Sequence, residues 1–209
     1  MTGTCERTEG VRFRESLVKG MPWGTLFAER RNFEYGYFTM EGHFVEKYLK
    51  KPSSVLVFGS GNGREARPIV GAGHRIVCFD IGFLYVKGGS VLCTRERPGN
   101  VHFLQADMYA LPFARETFDF IFFSMHSVAG SRRFEVLHRI REILRPGGMV
   151  MLTTLTPLYP RLPTPDTVFL AEEEMDEEIK NIERCGFRFL ESSVDPLVNV
   201  YRWAVLEAR

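Results

Sequence analysis

From residue 53 onward, short runs of apolar residues alternate with amphipathic segments. The apolar runs cover residues 55–58, 75–79, 101–105, 118–123 and 149–154. Buried strands that alternate with helical patterns are typical of a parallel sheet with helices on both faces. The pattern therefore predicts an α/β fold in which a doubly wound sheet forms the middle of three layers.

Helical patterns occupy the segments between these runs. The clearest lies at 131–144, with an apolar stripe formed by Phe134, Leu137, Ile140 and Leu144. It should end before the Arg-Pro-Gly-Gly sequence at 145–148, because proline and glycine do not continue a helix. Weaker patterns predict helices at about 39–50, 64–70, 82–97 and 171–184. Pro68 should make the helix at 64–70 short or kinked.

The two ends of the chain depart from this alternation. Residues 187–194 and 200–207 predict two strands, and the turn-rich sequence between them favours an antiparallel pair. The sheet should thus be mostly parallel with an antiparallel last strand. Residues 1–38 are rich in aromatic side chains but weakly periodic, so we expect a lid or cap segment there, with residues 39–209 forming the single main domain.

Composition and charge narrow the class of protein. The chain has 209 residues, of which 44% are hydrophobic and 25% charged, as in a globular protein with one core. Its net charge is +1 and it has no basic stripe, so a nucleic-acid partner is not expected. The acidic residues within 172–178 should form a solvated face of the helix at 171–184.

The cysteines argue against a metal site. They are scattered singly, whereas zinc and iron–sulfur sites usually draw ligands from close pairs. Single cysteines suit a reducing compartment. The first residues lack the apolar run of a signal peptide, and no apolar stretch is long enough to span a membrane. We therefore expect a cytoplasmic protein with no metal and no membrane partner.

Candidate chemistry lies where three successive strands end. Residues 59–63 (Gly-Ser-Gly-Asn-Gly) follow the first strand, Asp80 ends the second and Asp107 follows the third. Ligands of open α/β sheets bind outside the carboxyl ends of the strands. A glycine-rich turn lets a ligand approach the backbone, and an acid at the end of the second strand can accept hydrogen bonds from ribose hydroxyls. These features predict a nucleoside-containing cofactor.

The glycine spacing separates two kinds of cofactor. Dinucleotide-binding loops carry a third glycine that lets the following helix pack beside a pyrophosphate. Arg64 occupies that position, so a ligand without a pyrophosphate fits better. Asn62 and Arg64 are expected to cap or begin the next helix, with any cofactor contact made through their backbone.

Several sequence segments resemble class I S-adenosylmethionine-dependent methyltransferases, which have a Rossmann-like fold. They are VLVFGSGNGREA at 55–66, the acid at Asp80, FLQADMYALPFARETFDFIFFS at 103–124 and LRPGGMVMLTT at 144–154. The resemblance covers roughly residue 39 to the end of the chain. It implies that S-adenosyl-L-methionine is the cofactor and that a methyl group is transferred.

The same resemblance assigns the cofactor-binding residues. Gly59, Ser60 and Gly61 would pass under the methionine part, and Asp80 would hold the ribose. The remaining contacts would come from residues at the ends of the second, third and fourth strands. Ile81 would pack on the adenine, Asp107 and Met108 would meet the adenine ring and its amino group, and Ser124 would line the site beside the sulfonium.

One position departs from the family pattern. The acid that usually stands two residues before the first loop glycine is replaced by Val57, which removes a carboxylate from the amino-acid end of the cofactor. Two alternatives to a methyltransferase therefore stay open. One is a binding protein without catalytic activity, and the other, which fits the glycine spacing poorly, is a nicotinamide-dependent oxidoreductase.

The acceptor side of the site is less specific. His126, just past the fourth strand, is the candidate general base, which an oxygen or protonated nitrogen acceptor would need. Tyr37 and Tyr159 are candidate substrate-binding residues, and the other histidines are expected to be structural. Ser-Met-His-Ser at 124–127 replaces the Asn-Pro-Pro-Tyr type of motif that marks base- and amide-methylating enzymes. We therefore expect a small-molecule oxygen or nitrogen acceptor and a monomer or homodimer.

Overall fold

The computed structural model describes residues 36–96, 100–125, 128, 130–158, 174–194 and 201–209. Its strands form a seven-stranded sheet in the order β3-β2-β1-β4-β5-β7-β6. The strands are β1 Ser54–Phe58, β2 Arg75–Asp80, β3 Val101–Gln105, β4 Phe118–Ser124, β5 Leu144–Leu155, β6 Phe187–Val194 and β7 Tyr201–Ala208.

The α-helices within these ranges cover the sheet on both faces. They are α1 Thr39–Tyr48, α2 Phe83–Glu96, α3 Arg133–Ile143 and α4 Met175–Arg184. Short 3₁₀ helices lie at Arg67–Ile69 and Gly130–Arg132. Three layers result, as the alternation of apolar runs and helical patterns predicted.

The pairing of the strands confirms the predicted topology. β1 pairs in parallel with β2 and β4, and β3 and β5 extend the parallel part on either side. β7 is antiparallel to both β5 and β6 and lies between them. The strand order runs outward from β1 in both directions, so the carboxyl ends of β1 and β4 flank the point where the order reverses. A ligand crevice is expected at that point.

Two cores lie on opposite faces of the sheet. One is closed by α1 and the segment after β1, and it contains Phe44, Val57, Ile69, Phe122 and Trp203. The other is closed by α3 and α4, and its members include Phe58, Phe123, Leu137, Leu152 and Ile182. Because side chains of a strand alternate between faces, the continuous apolar runs of β1 and β4 supply both cores.

The helix expected at 64–70 does not form. The residues after β1, all of which the structure describes, make turns and one 3₁₀ turn at Arg67–Ile69. Pro68 provides no N–H donor, and Gly63, Gly71 and Gly73 have φ values of +85°, +85° and +84°, which right-handed helices do not allow. The prediction of a short or kinked α-helix was therefore wrong, since these residues form turns and a short 3₁₀ helix instead.

Two smaller predictions also need correction. β5 begins at Leu144, so the Arg-Pro-Gly-Gly sequence that ends α3 belongs to the first part of that strand, where Gly147 has a φ of +72°. The acidic face of α4 is not wholly solvated. Glu178 is only 4% exposed, and both of its carboxylate oxygens accept hydrogen bonds from Arg133 at 2.8 and 2.9 Å.

Candidate functional site at the carboxyl edge of the sheet

The loop after β1 is held directly against the end of β2. Ser60 N–H donates to the carbonyl of Phe79 at 2.8 Å, and Gly61 N–H donates to Asp80 Oδ2 at 3.0 Å. The other carboxylate oxygen of Asp80, Oδ1, accepts the N–H of Gly82 at 2.8 Å. A carboxylate oxygen has two lone pairs, so each oxygen of this half-buried side chain can accept one further hydrogen bond.

The loop glycines serve different purposes. Gly59, Gly61 and Gly63 have φ values of +68°, +52° and +85°, a region that side chains disfavour. A Cβ at Gly61 would have no atom within 4 Å, so this glycine borders open space. A Cβ at Gly63 would lie 2.8 Å from Phe103 Cζ, so that glycine is needed for packing inside the protein.

Gly89 of α2 carries no specific signal for the site in the sequence, where a glycine only weakens a helical pattern. A Cβ there would lie 2.6 Å from the carbonyl oxygen of Asn62 and 2.4 Å from Phe103 Cε1. The missing side chain therefore lets α2 approach the backbone of the glycine loop. A glycine within a helical pattern is a general signal for such an approach.

The predicted adenine-contacting residues lie at the ends of β2 and β3. Ile81 and Asp107 are half-buried, and Asp107 Oδ1 accepts the N–H of Tyr109 at 2.9 Å. The Gln105 amide donates to the carbonyl of Ile81 at 3.0 Å and joins the two strand ends. The Met108 side chain is 4% exposed and packs in the core, so any contact with a ligand would come from its backbone.

The acceptor side of the edge is described in part. Ser124 ends β4, is half-buried and pairs with Thr153 of β5. The next residue of β5, Thr154, is 1% exposed, and its hydroxyl has no hydrogen-bond partner among the residues described. His126 and Tyr159, the predicted base and one predicted substrate-binding residue, lie outside the described residues, as do residues 1–35 of the predicted lid.

Tyr37 packs against the protein and contacts the segment that follows the glycine loop. Its hydroxyl donates to the carbonyl of Glu65 at 2.7 Å, and its ring stacks on Phe122 with centroids 6.0 Å apart. Burial, with the neighbouring carboxylate of Glu41, raises the pKa of the Tyr37 hydroxyl well above its usual value. In this structure Tyr37 supports the segment after the loop, and a substrate contact stays a prediction.

Arg64 forms an ion pair that sequence reasoning missed. Its guanidinium donates to both oxygens of Glu41 at 2.6 and 2.9 Å, to Glu65 Oε1 at 2.8 Å and to the carbonyl of Gly36 at 2.8 Å. The side chains of Arg64 and Glu41 are 11% and 1% exposed. The expectation that Arg64 would cap a helix was therefore wrong.

The electrostatic environment of this pair follows from its burial. Burial alone would lower the pKa of Arg64, but Glu65 and Glu41 outweigh it and raise the pKa above its usual value. Burial also raises the pKa of Glu41, although the guanidinium opposes the shift. Bidentate donation to both carboxylate oxygens requires ionised Glu41, so the pair is an ionic contact in a dry environment.

Val57 cannot provide the acid that the family pattern places before the loop. It is 1% exposed and belongs to the core beneath α1. Arg64 and its partners Glu41 and Glu65 form instead a group of largely buried charges on this side of the sheet. Among the described residues, no group of three or more His, Cys, Asp or Glu is arranged to hold a metal, and no helix is long and apolar enough to cross a membrane.

The arrangement fits a nucleoside-containing ligand. The open space beside Gly61 lies next to the carboxylate of Asp80, whose free lone pairs suit ribose hydroxyls. The strand order with an inserted antiparallel β7, together with this loop and acid, defines a class I methyltransferase fold. Residues 55–148 match the protein family described as a methyltransferase domain. This match over residues 55–148 supports the resemblance to class I S-adenosylmethionine-dependent methyltransferases noted in the sequence.

Curated relatives match only part of the chain. Malonyl-[acyl-carrier protein] O-methyltransferase of Salmonella typhimurium is 29% identical over 103 residues, or 49% of this chain and 39% of that protein. Carboxy-S-adenosyl-L-methionine synthase of Pseudomonas putida is 42% identical over 53 residues, or 25% of this chain and 22% of that protein. The chain covers less than half the length of either relative.

Solved structures match most of the chain. A 1,6-didemethyltoxoflavin-N1-methyltransferase of Burkholderia thailandensis, with bound 1,6-didemethyltoxoflavin and S-adenosylhomocysteine, has a TM-score of 0.72 at 18% identity. The match covers 94% of this chain and 87% of that one. The [4+2]-cyclase SpnF has a TM-score of 0.67 at 17% identity over 81% and 79% of the two chains. At these identities the matches confirm the predicted fold.

Proposed function

We propose that this protein binds S-adenosyl-L-methionine at the carboxyl edge of its sheet and transfers the methyl group to an oxygen or nitrogen atom of a small molecule. The observation that carries the proposal is the contact of the glycine loop with Asp80. Gly61 N–H is bonded to Asp80 Oδ2 while the space beside Gly61 is open. A ribose can therefore reach the acid and the loop at the same time.

Each cofactor contact has a candidate residue in the structure. Gly59, Ser60 and Gly61 would pass under the methionine part, and Asp80 would hold the ribose hydroxyls. At the far end Ile81 and Asp107 would border the adenine, with Met108 contributing its backbone. Ser124 would face the sulfonium from the end of β4, next to the crevice between β1 and β4.

The chemistry requires little from the protein besides position. S-adenosyl-L-methionine supplies an electrophilic methyl carbon when it is bound. The chain must hold a nucleophilic atom in line with the bond that breaks, and such positioning alone can lower a barrier by about 7–11 kcal/mol. His126 would accept the proton of a hydroxyl or protonated amine acceptor, and Tyr159 and Tyr37 would contact the acceptor or the cofactor carboxylate.

A small acceptor is supported by the kind of proteins that resemble this chain. The Burkholderia neighbour is a 1,6-didemethyltoxoflavin-N1-methyltransferase with 1,6-didemethyltoxoflavin bound, and the Salmonella relative is a malonyl-[acyl-carrier protein] O-methyltransferase. We also propose a cytoplasmic location and a monomer or homodimer. The described cysteines, Cys78, Cys93 and Cys185, are all buried and none of them forms a disulfide, as a reducing compartment favours.

A second candidate is a member of the fold that binds the cofactor without transferring a simple methyl group. The similarity to a [4+2]-cyclase and to a carboxy-S-adenosyl-L-methionine synthase favours keeping it, as does Val57. A nicotinamide-dependent oxidoreductase is disfavoured. The position of the third glycine of a dinucleotide loop holds Arg64, and its side chain is committed to buried carboxylates.

Isothermal titration with S-adenosylmethionine, S-adenosylhomocysteine and NAD tests the cofactor. We expect both adenosyl ligands to bind and NAD not to bind. Transfer of a labelled methyl group to a panel of carboxylic acids, phenols and nitrogen heterocycles then tests the reaction. Binding without transfer to any member of the panel would favour the second candidate. Binding of NAD alone would contradict both.

A further inference from the structure

The glycine loop lacks the support that a following helix would give. Three of its residues, Gly59, Gly61 and Gly63, have positive φ values, and glycine loses more conformational freedom on ordering than any other residue. The segment that follows makes turns and a 3₁₀ turn in place of an α-helix. Other contacts must therefore hold the loop in the shape that a ligand would meet.

The start of the loop has such contacts in β2. Ser60 N–H is bonded to the carbonyl of Phe79, and Gly61 N–H to Asp80. These bonds fix the residues beside the open space, but they lie before the turn at Gly63. The N–H groups of Ala66 and Arg67 both bond to the carbonyl of Gly63, within the same turn.

The end of the loop is held by α1. Arg64 follows the last glycine directly, and its guanidinium makes a bidentate contact with Glu41 and a third contact with the carbonyl of Gly36. Glu41 is itself fixed, because its Oε2 also accepts the N–H of Phe38 in the first turn of α1. Tyr37 adds a bond from its hydroxyl to the carbonyl of Glu65. The loop is thus tied to residues 36–41 by side chains that exclude water.

We propose that the Arg64–Glu41 ion pair positions the cofactor loop. The proposal rests on the proposed function. Arg64 and Glu41 are positioning residues, because their side chains are only 11% and 1% exposed and their charged groups are already engaged with each other and with residues 36, 38 and 65. Cofactor affinity should then depend on a pair of residues that do not touch the cofactor.

The first test compares two buried ion pairs that are both bidentate. Arg133 and Glu178 make bidentate contacts at 2.8 and 2.9 Å, with Glu178 4% exposed, and they join α3 to α4 on the opposite face of the sheet. Glu41→Gln and Glu178→Gln should both lower the melting temperature, since each removes the ionised partner that makes the bidentate contact. Only Glu41→Gln should weaken binding of S-adenosylhomocysteine, by at least tenfold in titration calorimetry. Equal affinities of the two variants would overturn the proposal.

A second variant keeps the test valid if Glu41→Gln unfolds. The triple variant Glu41→Leu, Arg64→Met, Glu65→Gln removes all three charges of this group and puts apolar residues of similar size in place of the bidentate pair, a change that often preserves stability. We expect this protein to melt near the wild-type temperature but to bind S-adenosylhomocysteine at least tenfold more weakly. Wild-type affinity in this variant would show that the pair only stabilises the fold.

A measurement without ligand separates this proposal from the proposed function. Amide hydrogen exchange of residues 59–63 in the free protein should be faster in Glu41→Gln than in Glu178→Gln. If wild-type protein does not bind S-adenosylhomocysteine, the proposed function fails, while faster exchange in the loop still supports the positioning role. Equal exchange in the two variants would refute that role whatever the cofactor is.

Discussion

The most direct test of the cofactor site is the replacement of Asp80 by alanine. In the structure each carboxylate oxygen of Asp80 accepts one backbone N–H, at 3.0 Å from Gly61 and 2.8 Å from Gly82. One lone pair of each oxygen is left for the two ribose hydroxyls of a bound adenosyl group. Alanine removes both acceptors and also releases the loop.

The expected magnitude follows from these contacts. A hydrogen bond to a charged acceptor contributes about 1.5–3 kcal/mol, and partial replacement by water keeps the total loss near the value for one such bond. The Kd for S-adenosylhomocysteine should therefore rise by about 10- to 150-fold. Isothermal titration of the folded variant measures this change. Asp80→Asn should also bind weakly, because its amide can satisfy only one of the two backbone donors.

Asp119→Ala is the matched control for Asp80→Ala. Asp119 likewise accepts a backbone N–H, from Ser54 at 2.7 Å, and it also pairs with Arg145 at 2.6 Å. It lies near the amino ends of β1 and β4, at the opposite edge of the sheet from the glycine loop. Its loss should lower stability and leave the Kd unchanged. If Asp80→Ala keeps wild-type affinity, or if both variants weaken binding equally, Asp80 is not the ribose-binding acid.

Three further outcomes are expected. Gly61→Val and Gly147→Val both place a side chain at positive φ with no atom within 4 Å of the new Cβ, so each should cost about 1–3 kcal/mol of stability. Calorimetry should find that binding of S-adenosylhomocysteine is abolished only in Gly61→Val. Thr154→Val removes a buried hydroxyl that has no hydrogen-bond partner among the described residues. The melting temperature of this variant should equal or exceed that of wild type, and a clear decrease would contradict the prediction. Burial alone would raise the pKa of Asp119, but Ser54 N–H and the Arg145 guanidinium outweigh it and hold the pKa below its usual value. The ionised carboxylate therefore stabilises the folded state above the unfolded pKa of about 3.9, and this stabilisation is lost as the pH falls through the folded pKa. Urea unfolding should show a smaller difference in stability between wild type and Asp119→Asn at pH 2.5 than at pH 7.

The strands could be predicted from the sequence because their signal is local. The apolar runs at 101–105 and 187–194 gave bounds equal to those of β3 and β6, and the turn between the last two runs predicted their antiparallel pairing. Residues 59–63 and Asp80 were placed together by a general rule about strand ends. The strand pairing and the placement of the loop beside Asp80 both follow from local sequence patterns and general rules of sheet topology.

The contacts that hold the loop could not be predicted in this way. Arg64 was expected to cap or begin a helix, and only the structure shows that Glu41 of α1 lies beside it. Gly89 reads as a weak point of α2 until the carbonyl of Asn62 is found where its side chain would be. Glu178 was expected to face solvent because its partner, Arg133, lies in a different helix and is distant in sequence. Charge and size alone do not reveal a partner that is distant in sequence.

The absence of an α-helix directly after β1 explains why the buried contacts of Arg64 are needed to hold the loop. A regular helix would use backbone hydrogen bonds to fix the end of the loop, and the turns at 61–66 provide fewer of them. The loop is fixed instead from three sides, by Asp80 of β2, by Glu41 of α1 and by the close approach of α2 at Gly89. Because each of these contacts comes from a different element, the shape of the cofactor site depends on how α1 and α2 dock on the sheet. Variants on this face of the sheet should therefore change cofactor affinity more than equally destabilising variants on the face covered by α3 and α4.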